Sequence, residues 1–213
     1  WAMLLDYLFI PMINFMVIGT YMQTRFPDIP WQVFMLISLV GVFALNALGI
    51  KLINRVNFVI IAISVVMVVM FVALSLQSMG GSEGAASAIE PFMGELGPVF
   101  AGAGILALSF LGFDAISTLS EEAKNARRDI PRAIVLATVF GGLIFIVVSW
   151  AGAMAYSPDW GTMSEAELDS AGVGAMLAVG GEAFANFGVA VYVAGAFGSG
   201  LTGSTSVSRI LYS

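Results

Sequence analysis

The residue whose type and setting most invite chemistry is Asp114. It interrupts an otherwise apolar run, Gly104-Ile-Leu-Ala-Leu-Ser-Phe-Leu-Gly112-Phe113-Asp114-Ala-Ile-Ser117-Thr118. A carboxylate inside a membrane span costs about 2.5–3.5 kcal/mol on insertion scales, so it is kept where a partner, a proton or a water-filled cavity meets it. Gly112 is a weak helix former, and Ser117 and Thr118 stand one turn on, where their hydroxyls can take up backbone groups that a break would free. A glycine-interrupted span with an acid beside the break is the pattern of a discontinuous transporter helix, which holds a charged solute or an ion. The alternative places Asp114 near the cytoplasmic end of its helix, satisfied by snorkelling or by a loop arginine. Both readings stay open at this point.

Other polar groups fall in apolar runs. Asn14 lies mid-run with Asp6 upstream, and Asn46 lies late in the next run. A mid-membrane asparagine makes helix–helix hydrogen bonds or lines a pore. Near the C-terminus Gly195, Ser199 and Gly203 recur at four-residue intervals, as do Ala194, Gly198 and Thr202. Such rows permit close helix packing, while the hydroxyls of Ser199, Thr202, Ser204 and Thr205 could also ligate an ion or substrate.

Several chemistries are excluded. The chain has neither cysteine nor histidine, which removes disulfides, Cys- or His-based zinc sites, Ser-His-Asp triads and Cys-His dyads. Gly80-Gly-Ser82-Glu-Gly84 therefore has no base to activate its serine. Gly102-Ala-Gly104-Ile-Leu-Ala107 fits a dinucleotide fingerprint, yet no strand precedes it. With only eight lysines and arginines, a nucleic-acid partner is not expected. No cofactor or metal is expected either.

The elements that position these residues follow from the solvent. Of 213 residues 59% are hydrophobic and 10% charged, against about 45–50% and 25% in soluble domains. That balance requires lipid as the solvent. Spanning about 30 Å of hydrocarbon takes about 20 apolar residues, and six runs qualify: 2–22, 31–48, 58–76, 99–119, 133–156 and 184–207. Since lipid offers backbone groups no partners, continuous runs read as helices. The expected fold is an all-α integral membrane protein, with one transmembrane domain over 1–213. Pro11 should bend the first helix. Asp129 followed by Pro131 reads as a capped start for the fifth.

Charge orients the helices. Lys51 and Arg55 follow the second run; Lys124, Arg127, Arg128 and Arg132 follow the fourth; Arg209 follows the sixth. The intervening segments carry Glu83, Glu90 and Glu95, then Asp159, Glu165, Glu167, Asp169 and Glu182, without a base. Basic segments face the cytoplasm, so the first helix enters from that side. Arg25 is the one misplaced base.

One stretch is specific enough to carry a family. Ser109-Phe-Leu-Gly-Phe-Asp-Ala-Ile-Ser-Thr-Leu-Ser-Glu121-Glu122-Ala-Lys124-Asn-Ala-Arg127-Arg128-Asp-Ile-Pro131-Arg-Ala-Ile134 resembles the sixth transmembrane helix and following loop of amino acid–polyamine–organocation permeases. Leu201-Thr-Gly-Ser-Thr-Ser-Val-Ser-Arg209-Ile-Leu-Tyr212-Ser is similar to their eighth helix, and Trp1-Ala-Met-Leu-Leu-Asp6-Tyr7 to the third helix of the putrescine importer branch.

The resemblance implies a LeuT-like inverted-repeat fold, of which this chain would be a fragment, helices three to eight of twelve. By residue it implies substrate contacts at Phe110, Leu111, Gly112, Phe113 and Asp114, with Leu108 where many members hold an aromatic gate. Asp114 would handle a cationic substrate or a proton, and Glu121, Glu122, Lys124, Arg127 and Arg128 would form an inner gate. Ala126 replaces the usual loop proline. No lysine lies in the third helix here, where some proton-coupled members hold one, which leaves proton or sodium open as the coupling ion. The first helix, which binds the substrate carboxylate in this family, would lie outside the fragment.

The expected function is a non-enzymatic secondary transporter of an amino acid or polyamine in the cytoplasmic membrane. Asn14 joins the substrate-binding candidates; Ser199 and Thr202 join Asp114 as ion-coupling candidates. An ion channel or a structural membrane subunit is the alternative, although no repeated filter or charged ring is visible.

Overall fold

A computed structural model of the chain describes residues 2–78, 96–107, 116–117, 120, 123–156, 158–159, 161–164, 167–168 and 170–212. Among these residues there are six long helices: α1 (Ala2–Arg25), α2 (Trp31–Leu48), α3 (Ile50–Ser78), α4 (Leu96–Leu106), α5 (Ala126–Ala155) and α6 (Ala171–Tyr212). Four of them, α2, α3, α5 and α6, are long and apolar enough to cross a membrane, and Tyr7–Gln23 of α1 is a shorter apolar stretch. Of the described residues of α5 only Ala151 is buried inside the chain. Phe43 and Phe58 stand 76% and 73% exposed. Water would penalise such surfaces; hydrocarbon does not.

Helix boundaries depart from the sequence pattern in three places. Gly49 alone separates α2 from α3, at φ +103°, ψ 160°, a region open essentially to glycine. Its carbonyl accepts from the amides of Leu52 (3.1 Å) and Ile53 (3.4 Å), so α3 starts at once. Lys51 and Arg55 therefore belong to helix α3, not to a loop before residue 58, so the third helix does hold a lysine, Lys51 in its first turn, against the expectation from sequence. Secondly, α5 begins at Ala126, which makes Asp129 a first-turn helical residue rather than a cap. Pro131 sits inside the helix, forgoing one hydrogen bond to the Arg127 carbonyl. Thirdly, α6 contains one non-helical residue, Gly181 (φ +68°, ψ −170°), which divides Ala171–Gly180 from the long remainder.

Between α5 and α6, Ser164 and Glu167 form a capping box. Glu167 Oε2 accepts from the Ser164 amide (2.8 Å) and hydroxyl (2.7 Å), and the Glu167 amide donates to Ser164 Oγ (3.4 Å). The Ser164 amide, then its hydroxyl, hold the Glu167 carboxyl below its ordinary value. A carboxylate shifted down on folding supports the box above that ordinary value and loses its contribution as pH falls.

The chain packs as two compact units. Unit 1 comprises Trp1–Val66, Ala115–Ala126 and Val189–Ser213; unit 2 comprises Met67–Asp114 and Arg127–Gly188. The core of unit 1 is Phe15, Ile18, Val42, Ile53, Ala196 and Leu201. That of unit 2 is Phe71, Ala151, Ala175 and Phe184, with the Phe71 and Phe184 rings stacked at 6.5 Å.

Within unit 1, α6 touches three helices through glycine. A Cβ on Gly200 would fall 2.8 Å from the Phe15 ring of α1, and one on Gly203 would fall 3.1 Å from Pro11. A Cβ on Gly198 would fall 3.0 Å from Asn57 and 3.2 Å from Ile60 of α3. Phe197 of α6 lies against Gly41 of α2. Lipid gives no hydrophobic drive for helix association, so close backbone approach of this kind supplies it through van der Waals contact. Gly195 has nothing within 4 Å of its Cβ position; of its row Gly203 makes the contact with α1, and Gly200 adds to it. Along these contacts α1 and α3 run antiparallel to α6, and α2 runs parallel to it.

Candidate functional site

Three interhelical side-chain hydrogen bonds of unit 1 converge on α6. Ser199, Thr202 and Thr205 recur every three residues, and each step of three turns the side chain by about 60° and climbs about 4.5 Å. Three such residues fan across three neighbours. Asn14 of α1 donates from Nδ2 to Ser199 Oγ at 3.1 Å. Asn57 of α3 donates from Nδ2 to Thr202 Oγ1 at 2.9 Å. Thr205 Oγ1 donates to Asn46 Oδ1 of α2 at 2.8 Å. One helix thus has one amide–hydroxyl rung to each of its three neighbours.

The remaining hydrogen-bonding capacity is partly used at home. The second Nδ2 proton of Asn14 goes to the Ile10 carbonyl at 2.8 Å. Thr202 donates its own proton to the Gly198 carbonyl at 3.0 Å. The Asn46 amide reaches the Val42 carbonyl at 3.1 Å. Ser199 and Thr202 are nonetheless exposed, and Asn14 and Asn57 half-buried. Two hydroxyl oxygens, one helical turn apart and each steadied by an amide, lie accessible in a chain whose solvent is lipid. Such oxygens can offer lone pairs to a cation or to a substrate ammonium.

The structure brings together Asn14 and Ser199, two residues singled out from sequence for different roles. Thr202 lies one turn along α6. Leu108, Phe110, Leu111, Gly112, Phe113 and Asp114 lie outside the described residues, as do Glu121 and Glu122. Lys124 is exposed in the turn before α5, and Arg127 and Arg128 are exposed in its first turn. Positive charge there opposes the helix dipole, so these bases are not placed for the helix's own benefit. Asn57 was missed from sequence: a third helix drawn from residue 58 leaves it in a loop. The signal that could have found it is the four-residue step from Asn57 to Ile61 and onward, which continues the apolar helix backwards to Ile53. Among the described residues no group of acids, histidines or cysteines could hold a metal ion.

Comparison with known proteins decides the family. The sequence matches the family described as "Amino acid permease" over residues 1–213. This chain belongs to the amino acid permease family. It is 34% identical over 217 residues to the low-affinity putrescine importer PlaP of Escherichia coli strain K12, a match covering 100% of this chain and 47% of that protein. It is 36% identical over 61 residues to the branched-chain amino acid permease BcaP of Bacillus subtilis, covering 28% of this chain and 13% of that protein. A 37-residue stretch is 51% identical to cationic amino acid transporter 1 of Arabidopsis thaliana, covering 17% of this chain and 6% of that protein. The chain thus spans about half the length of the putrescine importer. No solved structure matches it. The family is one of permeases, not enzymes, and its members reside in the cell membrane, in accord with the several membrane-crossing helices here.

Proposed function

We propose that the whole protein is a secondary active transporter that moves an amino acid or a polyamine across the cytoplasmic membrane by alternating access. The observation that carries the reading is the accessible amide–hydroxyl pair set, Asn14–Ser199 and Asn57–Thr202, on helices otherwise solvated by lipid. Polar side chains at that depth are costly against hydrocarbon and useful against a water-filled cavity. In this reading the fold is the LeuT-like inverted repeat: α1, α2 and α3 complete one repeat, and α4, α5 and α6 begin the other. The basic ends of the helices face the cytoplasm.

Residue roles follow the chemistry. Phe110, Leu111, Gly112 and Phe113, with Leu108 as a gate, present loosened backbone to the substrate. Asp114 pairs with its positive charge, or carries a proton where the substrate is neutral. Asn14 completes the substrate contacts. Ser199 and Thr202, with Asp114, serve the coupling ion: sodium through the hydroxyl oxygens, or a proton on the Asp114 carboxylate. Glu121, Glu122, Lys124, Arg127 and Arg128 close the inner gate. A substrate with a free cationic end, such as putrescine, fits a site whose nominated charge is a single carboxylate.

The test is Asp114→Asn in the full-length protein. It retains the side-chain size and removes the charge, so uptake of labelled putrescine or of a cationic amino acid should fall at least about tenfold, the loss of one charge-assisted contact. Uptake equal to wild type would overturn the role of Asp114 and with it the cationic-substrate reading.

A further inference from the structure

Thr202 and Ser199 differ in how they are held, and the difference falls on Asn57. The Thr202 hydroxyl gives its proton to the Gly198 carbonyl (3.0 Å) and accepts the Asn57 amide (2.9 Å). One lone pair is left, and its direction is set by those two bonds. Without the Asn57 amide the hydroxyl is free to rotate within its helix and to turn its proton outward. The other end of the same amide lies over Gly198: a Cβ there would fall 3.0 Å from Asn57 Oδ1 and 3.2 Å from Ile60 Cδ1. Gly198 therefore lets α3 come close enough for the amide to reach Thr202.

We infer that Asn57 is a positioning residue for cation coupling: it orients the Thr202 hydroxyl so that its free lone pair, beside that of Ser199, faces the accessible side of unit 1. An amide carries no charge and does not titrate, so Asn57 acts through Thr202 and not as a charge partner. The inference rests on the reading of Ser199 and Thr202 as cation ligands. The rung between Asn46 and Thr205 is its internal contrast. It joins α2 to α6 by a bond of similar length, 2.8 Å, but both of its residues are half-buried, so it serves packing.

The experiment uses the full-length protein in proteoliposomes, titrating protons and sodium separately and reading the half-saturating concentration of the driving cation for uptake. Asn57→Leu should raise it about fivefold, the worth of one hydrogen bond, with the larger effect on half-saturation and the smaller on maximal rate. Thr202→Val should raise it at least as much, and the double variant no further than Thr202→Val alone. Asn46→Leu should lower the melting temperature in detergent while leaving half-saturation in place. Asn57→Ser reads the same shift if Asn57→Leu does not fold. The inference is overturned alone if Thr202→Val shifts half-saturation and neither Asn57 variant does, or if the two single effects multiply in the double variant. If Thr202→Val shifts nothing, the cation-ligand reading and this inference fall together.

Discussion

An amide in hydrocarbon must find its partners on protein, and each of Asn14, Asn46 and Asn57 finds one on α6. Their contributions are modest, since the unfolded chain in a membrane also finds partners; such pairs average about 0.6 kcal/mol and reach about 1.7. A double-mutant cycle of Asn14→Leu and Ser199→Ala, followed by unfolding in detergent, should return a coupling energy within that range. A coupling indistinguishable from zero would contradict the rung. Asn14 and Asn46 were legible in the sequence because each is a polar residue inside an apolar run. Their partners were not, since nothing in one helix's sequence states which neighbour it will face. Ser199 and Thr202 were legible as hydroxyls and as members of small-residue rows, and both rows pack, Gly203 against Pro11 and Gly198 against Asn57 and Ile60; Gly200, absent from both, adds the contact with Phe15.

Two glycines set the lengths of the helices. Gly49 and Gly181 both adopt positive φ with extended ψ, and neither has an atom within 4 Å of its Cβ position. Any penalty for a side chain there is one of backbone conformation, not of space. Gly181→Ala should lower stability by about 1–3 kcal/mol, read as a fall in the melting temperature of the purified protein. An unchanged melting temperature would mean that α6 runs through residue 181 without the break. Hydropathy located the apolar centres of the helices but not these ends. Between Asn46 and Asn57 the frequent polar residues dilute the apolar pattern, so a one-glycine turn reads as a loop over 49–57. Asp129 and Pro131 misled in the opposite sense: a capping carboxylate and a first-turn proline are the usual start signals, yet the helix starts at Ala126.

At the scale of the molecule, composition alone identified the solvent. A chain that is 59% hydrophobic and 10% charged has too little polar surface for water, and the exposed apolar helices agree. The division into two packing units was not legible. It depends on which half of α3 and which half of α6 meet which neighbours, and a period of 3.6 residues carries no such information. The family, by contrast, was legible from the stretch around Asp114 and the loop after it, with shorter resemblances at either end, and the match over residues 1–213 agrees with it. The most direct measurement is uptake by proteoliposomes of the full-length protein. Labelled putrescine and a panel of amino acids would be offered with and without an inward proton or sodium gradient. The account predicts accumulation of at least one of them that depends on one of the two gradients and collapses when that gradient is dissipated. Folded protein that accumulates none of them under either gradient would contradict it.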